Sequence, residues 1–154
     1  MSRGTPVFVV GYDGSPRAAA ALAHAATLAR GGRIVVVHVH EGTPRQLDER
    51  WKSVLAADQE ARSRAVLDAL PAPSAAALAE TTWETRAVEG PAPAALCRVA
   101  DEVDADAIVV GSHGYGRVSA MLGSVSHALL RDASRPVIVI PPKAADRITA
   151  EMPS

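Results

Sequence analysis

Cysteine and long apolar runs are scarce in this chain of 154 residues. Its one cysteine, Cys97, cannot form an internal disulfide, and the apolar residues around it at helical spacing predict a buried, unreactive thiol. No stretch is long enough to span a membrane, and the first apolar run is too short for a secretory signal. We therefore expect a cytoplasmic protein that does not enter a membrane.

Charge of either sign is not in excess, because the acidic and basic residues leave a formal net charge of -1. Binding to nucleic acid or to an anionic membrane surface is therefore not expected. His38 and His40, at strand spacing, are expected to be partly buried packing residues, since no Cys or carboxylate spacing accompanies them to form a metal site. The sequence lacks the usual patterns of a catalytic site. It has no paired carboxylates, no Ser-His-Asp set with a geometry that can be argued, and no lysine near the glycine-rich residues 111–123.

Five runs of strand length alternate with four helical patterns along the chain. Four of these runs are apolar throughout, which is typical of parallel strands covered on both faces. The strands are predicted at residues 6–11, 34–40, 81–88, 107–110 and 136–140. The sequence thus predicts one α/β domain over residues 1–142, with a frayed tail over residues 143–154.

Two pairs of a capping residue and a proline predict helix starts. Ser15 precedes Pro16 after the first strand, and Thr43 precedes Pro44 after the second. The helix from Pro44 is expected to end at Pro71, and residues 71–79 are expected to form a loop. The predicted apolar stripe of that helix is Leu47, Trp51, Val54 and Leu55, and that of the last helix is Val125, Leu129 and Leu130.

The most informative segment follows the fourth strand and reads G-S-H-G-Y-G from residue 111 and G-S-V-S from residue 123. Glycines let the backbone approach a ligand, and unpaired N–H groups at a helix start form a site suited to phosphates. The hydroxyls of Ser124 and Ser126 would add donors. A plain turn explains one or two glycines, whereas four glycines and three serines favour phosphate binding. Neither the P-loop nor the dinucleotide-binding fingerprint fits.

These segments, together with V-x-V-V-G-Y-D-G-S, V-x-H-V-H, E-G-P and P-V-I-V-I, resemble the universal stress proteins from about Val7 to Ile140. The resemblance implies a Rossmann-like, adenine nucleotide alpha-hydrolase-like sheet of strand order 3-2-1-4-5. In that order a ligand crevice opens between strands one and four. The resemblance also implies bound ATP with Mg²⁺ or Mn²⁺ bridging its phosphates, and a homodimer through the strand at residues 136–140. A regulatory protein partner, not identifiable from the sequence, would respond to the nucleotide.

The resemblance also assigns roles to individual residues. Asp13 would contact the ribose or the adenosine, beside Gly11 and Tyr12, and Val39 would offer main-chain groups to adenine. The phosphates would be surrounded by Gly111, His113, Gly114, Gly123, Ser124, Val125 and Ser126. Two alternatives stay open: Asp13 could stabilise a turn, and Tyr12 and Tyr115 could flank the pocket or only cover its rim.

The glycine loop departs from the nucleotide-binding pattern of that family in one respect. Residues 115–122 supply eight positions where the pattern has nine. Because packing sets the register of the following helix, we expect residues 115–119 to take a tighter path and the pocket to survive. The sequence favours a stress or metabolic sensor that binds ATP. A protein-interaction module of the same fold without nucleotide, and a slow nucleotide hydrolase, are the alternatives.

Overall fold

The runs of strand length form one parallel sheet in the computed structural model, which describes residues 4–112, 122–141, 143–144 and 147. The strands are β1 (Val7–Gly11), β2 (Arg33–His40), β3 (Thr82–Glu89), β4 (Ala107–Gly111) and β5 (Val137–Ile140). Their order, β3-β2-β1-β4-β5, confirms the predicted topology. The order reverses between β1 and β4, so a crevice opens at the carboxyl ends of these two strands.

Helices cover both faces of the sheet, as predicted. One face carries α1 (Pro16–Leu28), α2 (Glu49–Asp68) and α3 (Ala72–Ala77), and the other carries α4 (Ala92–Glu102) and α5 (Ser124–Asp132). Neighbouring strand residues point to opposite faces, so Val10 packs under α1 while Val9 packs under α4. Both valines are completely buried, which explains why β1 has no polar positions.

The first helix begins where the sequence predicts. Ser15 is its N-cap, and the Ser15 hydroxyl accepts a hydrogen bond of 3.1 Å from the main-chain nitrogen of Ala18. Pro16 follows at the first helical position, where its missing N–H costs nothing. The buried residues of α1 are six alanines and Leu22, and these small side chains let the helix lie close to the sheet.

The second helix corrects the prediction in two ways. It begins at Glu49 rather than after Thr43, because the Asp48 carboxylate accepts a hydrogen bond of 3.0 Å from the Arg50 nitrogen and caps the helix there. Its predicted stripe does not enter the core: Trp51 is 61% exposed and Val54 is 54% exposed. The buried residues of α2 lie nearer its end and are Ser63 and Leu67.

Residues 71–79, predicted as a loop, contain α3 and the start of a 3₁₀ turn at Leu78–Glu80. Leu78 is completely buried and anchors this segment in the core. The apolar stripe of α5 is also narrower than predicted, since Leu129 is buried but Leu130 is 52% exposed. Ala144, assigned to the tail by the sequence, packs against the core. Among the described residues, no helix has the length and apolar character needed to cross a bilayer.

Candidate functional site

A cavity of about 140 Å³ lies at the carboxyl ends of β1, β2 and β4, on the face covered by α4 and α5. This is the crevice that the reversal of strand order creates. Six of the residues predicted from the sequence line the cavity, namely Gly11, Tyr12, Asp13, Val39, Gly111 and Val125. The fold therefore brings together residues that are up to 114 positions apart in the chain, from Gly11 to Val125.

The floor of the cavity is apolar, and the sequence analysis identified only part of it. Val37, Leu96 and Val110 line it together with the predicted Val39 and Val125. Strand alternation places Val37 and Val39 on the same face of the sheet, and Leu96 reaches them from α4. Two sequence patterns could have identified these residues. Alternation in β2 puts Val37 and Val39 on one face of the sheet, and the helical spacing of apolar residues in α4 turns Leu96 towards that face.

Gly11 keeps this floor open. A Cβ atom at this position would stand 3.1 Å from a methyl carbon of Val110 and 3.2 Å from a methyl carbon of Leu96. Both distances are shorter than ordinary van der Waals contact, so any side chain here would press on its neighbours and project among the cavity walls. The glycine at the end of the first strand thus provides space, and its backbone angles do not require glycine.

Asp13 lies on the cavity rim, in the turn between β1 and α1. Its Oδ1 atom accepts a hydrogen bond of 2.9 Å from the Ser15 nitrogen, which confirms that the carboxylate stabilises the turn. Gly14 has a φ of 82°, a left-handed conformation that favours glycine. Asp13 is exposed and also lines the cavity. Its carboxylate therefore both stabilises the turn and forms part of the cavity rim.

Tyr12 is a core residue as well as a wall of the cavity. It is 4% exposed and belongs to the cluster beneath α1, so it does more than cover a rim. Its main-chain nitrogen donates a hydrogen bond of 2.8 Å to the Val37 carbonyl, beyond the last paired residue of β1. Its carbonyl oxygen lies 2.9 Å from Nδ1 of His38. The start of the turn is therefore held on two sides.

The first turn of α5 is fastened directly to the end of β4. The nitrogen of Gly123 donates to the Ser112 carbonyl at 2.6 Å, and the Ser126 hydroxyl lies 3.1 Å from the same carbonyl and 3.0 Å from the Gly123 carbonyl. The single proton of the Ser126 hydroxyl is thus used for main-chain carbonyls, whereas the sequence analysis expected this hydroxyl to add a donor for phosphate. Ser124 is exposed at the first helical position. His113, Gly114, Tyr115 and the path of residues 115–119 lie outside the described residues.

The helix starts beside the cavity differ in the N–H groups that they can offer to an anion. In α1, Pro16 has no N–H and the Ser15 hydroxyl already accepts from Ala18. In α4, Pro91 and Pro93 remove two further N–H groups. The start of α5 has neither feature: Gly123 caps it without a side chain, and its first turn contains no proline. Of these three starts, α5 is best suited to bind an anion.

The histidines and the cysteine have the surroundings that the sequence predicts, with one adjustment. His38 and His40 are partly buried strand residues, as predicted. Separately, the described residues contain no group of three or more His, Cys, Asp or Glu side chains that could hold a metal ion. Cys97 is half-buried against the core rather than enclosed in it. Burial, with the charges of Asp101 and Asp132 nearby, raises the pKa of its thiol above the ordinary value, which disfavours the reactive thiolate.

Comparison with known proteins adds family and fold relationships. The profile of the universal stress protein family matches residues 6–141. The "universal stress protein in QAH/OAS sulfhydrylase 3'region" of Thermus aquaticus is 33% identical over 141 residues, and the match covers 86% of this chain and 96% of the relative. A universal stress family protein of Burkholderia pseudomallei is 30% identical with a TM-score of 0.65, over 89% of this chain and 96% of the other.

Two similar structures contain an adenine nucleotide. A universal stress protein in complex with cAMP is 26% identical, with a TM-score of 0.68, over 88% of this chain and 96% of that one. The universal stress protein of Archaeoglobus fulgidus in complex with dAMP is 28% identical, with a TM-score of 0.53, over 88% of this chain and 97% of that one. Nucleotide binding therefore occurs in some proteins of this fold.

Proposed function

The chain belongs to the universal stress protein family, and from this premise we propose that its cavity binds an adenine nucleotide, ATP together with a divalent ion, as a regulatory signal. The observation that carries the proposal is one cavity that combines an apolar floor with the start of α5, whose first turn has no proline and no side-chain cap. A purine needs the first of these features and a phosphate chain needs the second. The relatives that contain cAMP and dAMP support the choice of adenine.

The size of the cavity supports a position of the base on its floor. Pockets that enclose a drug-sized ligand measure roughly 300–1,000 Å³, whereas this cavity measures about 140 Å³. It can enclose one flat heterocycle, with the sugar and phosphates extending along the rim. Val37 and Val39 would contact the face of the base, and main-chain groups of Val39 would bind its edge.

The rim accommodates the remaining parts of the nucleotide. Asp13 would accept hydrogen bonds from ribose hydroxyls with the part of its carboxylate that faces the cavity. The phosphates would lie on the other side of the cavity, at the main-chain nitrogens of Ser124 and Val125, where the positive end of the α5 dipole favours negative charge. This arrangement keeps the single acidic side chain of the described lining away from the phosphates.

A divalent ion fits this site only as a companion of the phosphates. The described residues contain no cluster of three or more possible ligands, so this part of the chain provides no cage for the ion. Mg²⁺ and Mn²⁺ usually keep several waters and bind nucleotide phosphates together with few protein oxygens. The ion would neutralise phosphate charge, and the protein residues would bind the complex through the nucleotide.

The proposed role is regulation and not rapid catalysis. The described lining of the cavity contains one charged side chain, Asp13, and no lysine or arginine to polarise a phosphate. Turnover of ATP would therefore be slow or absent. ATP binding would change how a dimer of this protein meets a regulatory partner, by stabilising the nucleotide-bound form.

ATP should stabilise the protein, and the start of α5 should be responsible for part of the gain. At about 100 times the dissociation constant, ATP with Mg²⁺ should add about 2.7 kcal/mol to the free energy of unfolding, or a rise in Tm of roughly 5–11 °C.

Ser124→Pro should weaken ATP binding about tenfold because it removes one N–H and one hydroxyl. Proline suits the first helical position, and Gly123 has the extended backbone that precedes a proline, so the helix should persist. Thermal unfolding measures the rise in Tm, and isothermal titration calorimetry with ATP, AMP and adenosine measures the dissociation constants.

Ser124→Ala is the matched control, because it removes the hydroxyl and keeps the main-chain N–H. It should lose less affinity than Ser124→Pro, and adenosine should bind all three proteins alike. Absence of ATP binding by the wild type would contradict the proposal and favour the protein-interaction module. If binding appears only in a variant with one glycine inserted after Gly116, the short loop has abolished the site in this chain.

The proposed dimer depends on β5, which lies at one edge of the described sheet. The Ile108 nitrogen donates to the Pro136 carbonyl and the Ser112 nitrogen donates to the Ile140 carbonyl, so alternate residues of β5 direct their main-chain groups to β4. The main-chain groups of Val139 consequently point to the open edge. Val139→Pro should therefore prevent pairing with a second copy without removing a bond to β4.

Light scattering after size-exclusion chromatography should show a dimer for the wild type at micromolar concentration and a monomer for Val139→Pro. Val139→Ala is the control, because it loses similar apolar contacts with the core but keeps the N–H group, and it should remain a dimer. A monomeric wild type, or a Val139→Pro variant that is still a dimer, would show that β5 is not the interface.

A further inference from the structure

His38 contacts the nucleotide cavity only through another residue. It lies on β2, its ring is half-buried, and it points to the face of the sheet opposite the floor formed by Val37 and Val39. Its Nδ1 atom lies 2.9 Å from the Tyr12 carbonyl oxygen. A carbonyl can only accept, so Nδ1 carries the proton and donates this bond. The imidazole thereby joins β2 to the chain just after β1 ends.

The bond occupies the position where the main-chain ladder stops. The paired register of β1 and β2 ends at Gly11 and Val37, and the Tyr12 nitrogen adds one further bond to the Val37 carbonyl. The His38 side chain then binds the carbonyl oxygen of Tyr12. Both ends of Tyr12 are thus attached to β2, and its ring is buried in the core. The position of Tyr12 has little freedom while both bonds are present.

The position of Tyr12 determines that of the Asp13 carboxylate. Asp13 is the next residue, and its carboxylate both caps the Ser15 nitrogen and lines the cavity. Gly14 adds a left-handed turn immediately afterwards, where the regular pairing of β1 has already ended. The His38 bond attaches the chain to the sheet just before this turn. A small movement of Tyr12 would therefore move the carboxylate on the rim.

We infer that His38 is a positioning residue of the nucleotide site, which holds the Tyr12 carbonyl and thereby places Asp13 for its contact with the sugar. This inference rests on the proposed function. His38→Leu keeps a side chain of similar apolar size but removes the donor. It should raise the dissociation constant for ATP about tenfold, which is the usual effect of losing one well-placed hydrogen bond.

Two further variants separate positioning from simple packing. In His38→Asn the amide nitrogen lies at the same branch position from the Cβ atom as Nδ1, so it can donate to the Tyr12 carbonyl and should restore most of the affinity. His40→Leu is the matched control, because His40 lies two residues further along the same strand face and its Nδ1 contacts the neighbouring Glu41 carbonyl at 3.2 Å. It should bind ATP like the wild type.

A double-mutant cycle with Asp13→Ala tests the route of the effect by calorimetry with ATP. If His38 acts through Asp13, His38→Leu should change the dissociation constant by less than about twofold once the carboxylate is gone. Equal losses with and without Asp13, or no loss in His38→Leu, would overturn the inference while leaving the proposed function intact. A wild type that binds no nucleotide would overturn both, so the two failures are distinguishable.

Discussion

Gly11→Val should abolish ATP binding by filling the floor of the cavity. The valine Cβ would already stand 3.1 Å from Val110 and 3.2 Å from Leu96, and its two methyl groups would extend into a space of about 140 Å³. We expect the dissociation constant to rise about 100-fold or more, which corresponds to about 2.7 kcal/mol. Valine is a good strand residue, so β1 should still form, at a cost of about 1–3 kcal/mol for overpacking.

Isothermal calorimetry with ATP and adenosine, together with thermal unfolding, measures this effect. Gly11→Ala provides a graded comparison, because one methyl group requires its neighbours to move by only a few tenths of an ångström. Gly4→Val is the control, since a Cβ at Gly4 meets nothing within 4 Å. Adenosine should lose as much affinity as ATP. Unchanged affinity in a folded Gly11→Val protein would place the base somewhere other than this floor.

Gly32→Ala should cause a large loss of stability, although it lies at the opposite end of the sheet from the cavity. A Cβ atom there would overlap the Pro6 carbonyl oxygen and stand 2.9 Å from the Ala29 carbonyl oxygen. The Pro6 carbonyl cannot move aside easily, because it accepts the Arg33 hydrogen bond that begins the pairing of β1 with β2. We expect the free energy of unfolding to fall by about 3 kcal/mol, with a Tm lower by roughly 6–12 °C.

Urea unfolding followed by circular dichroism gives the free energy, and two neighbouring variants identify the cause. Gly31 has a φ of 76° and open space around its Cβ position, so Gly31→Ala should cost about 1 kcal/mol through backbone strain alone. Gly4→Ala, without a clash or a left-handed φ, should have almost no effect. If Gly32→Ala were no worse than Gly31→Ala, the overlap with Pro6 would not be the main cause of the lost stability.

The strands could be predicted from the sequence because burial on both faces leaves little freedom in composition. β1, β2 and β4 are nearly continuous valine and isoleucine, and their observed bounds differ from the predicted ones by one residue. The helix starts were harder to predict. Thr43 with Pro44 and Asp48 both have capping chemistry, and the helix begins where the Asp48 carboxylate reaches a main-chain nitrogen. Local sequence could not decide between these two starts.

Side-chain partners also separate the predicted site from the observed one. The glycines and serines near α5 indicated phosphate binding by residue type, but the Ser126 hydroxyl is used by the carbonyls of Ser112 and Gly123. The partner Ser112 is 14 positions away in the chain, and only the packing of α5 against the end of β4 brings the two together. The same holds for His38 and Tyr12, which are 26 positions apart.

The sequence by itself determined the strand runs, the cap of α1 and the resemblance of residues 7–140 to the universal stress proteins. These features depend on neighbouring residues, short motifs and periodicity. The tertiary structure alone decided which side chains form the cavity floor, which hydroxyls remain available and where glycine is needed for space. Gly11 and Gly32 look alike in the sequence, yet one leaves room among Val110 and Leu96 and the other leaves room for the Pro6 carbonyl. Such clearances arise between segments distant in the chain, so they exist only after the helices and strands have packed.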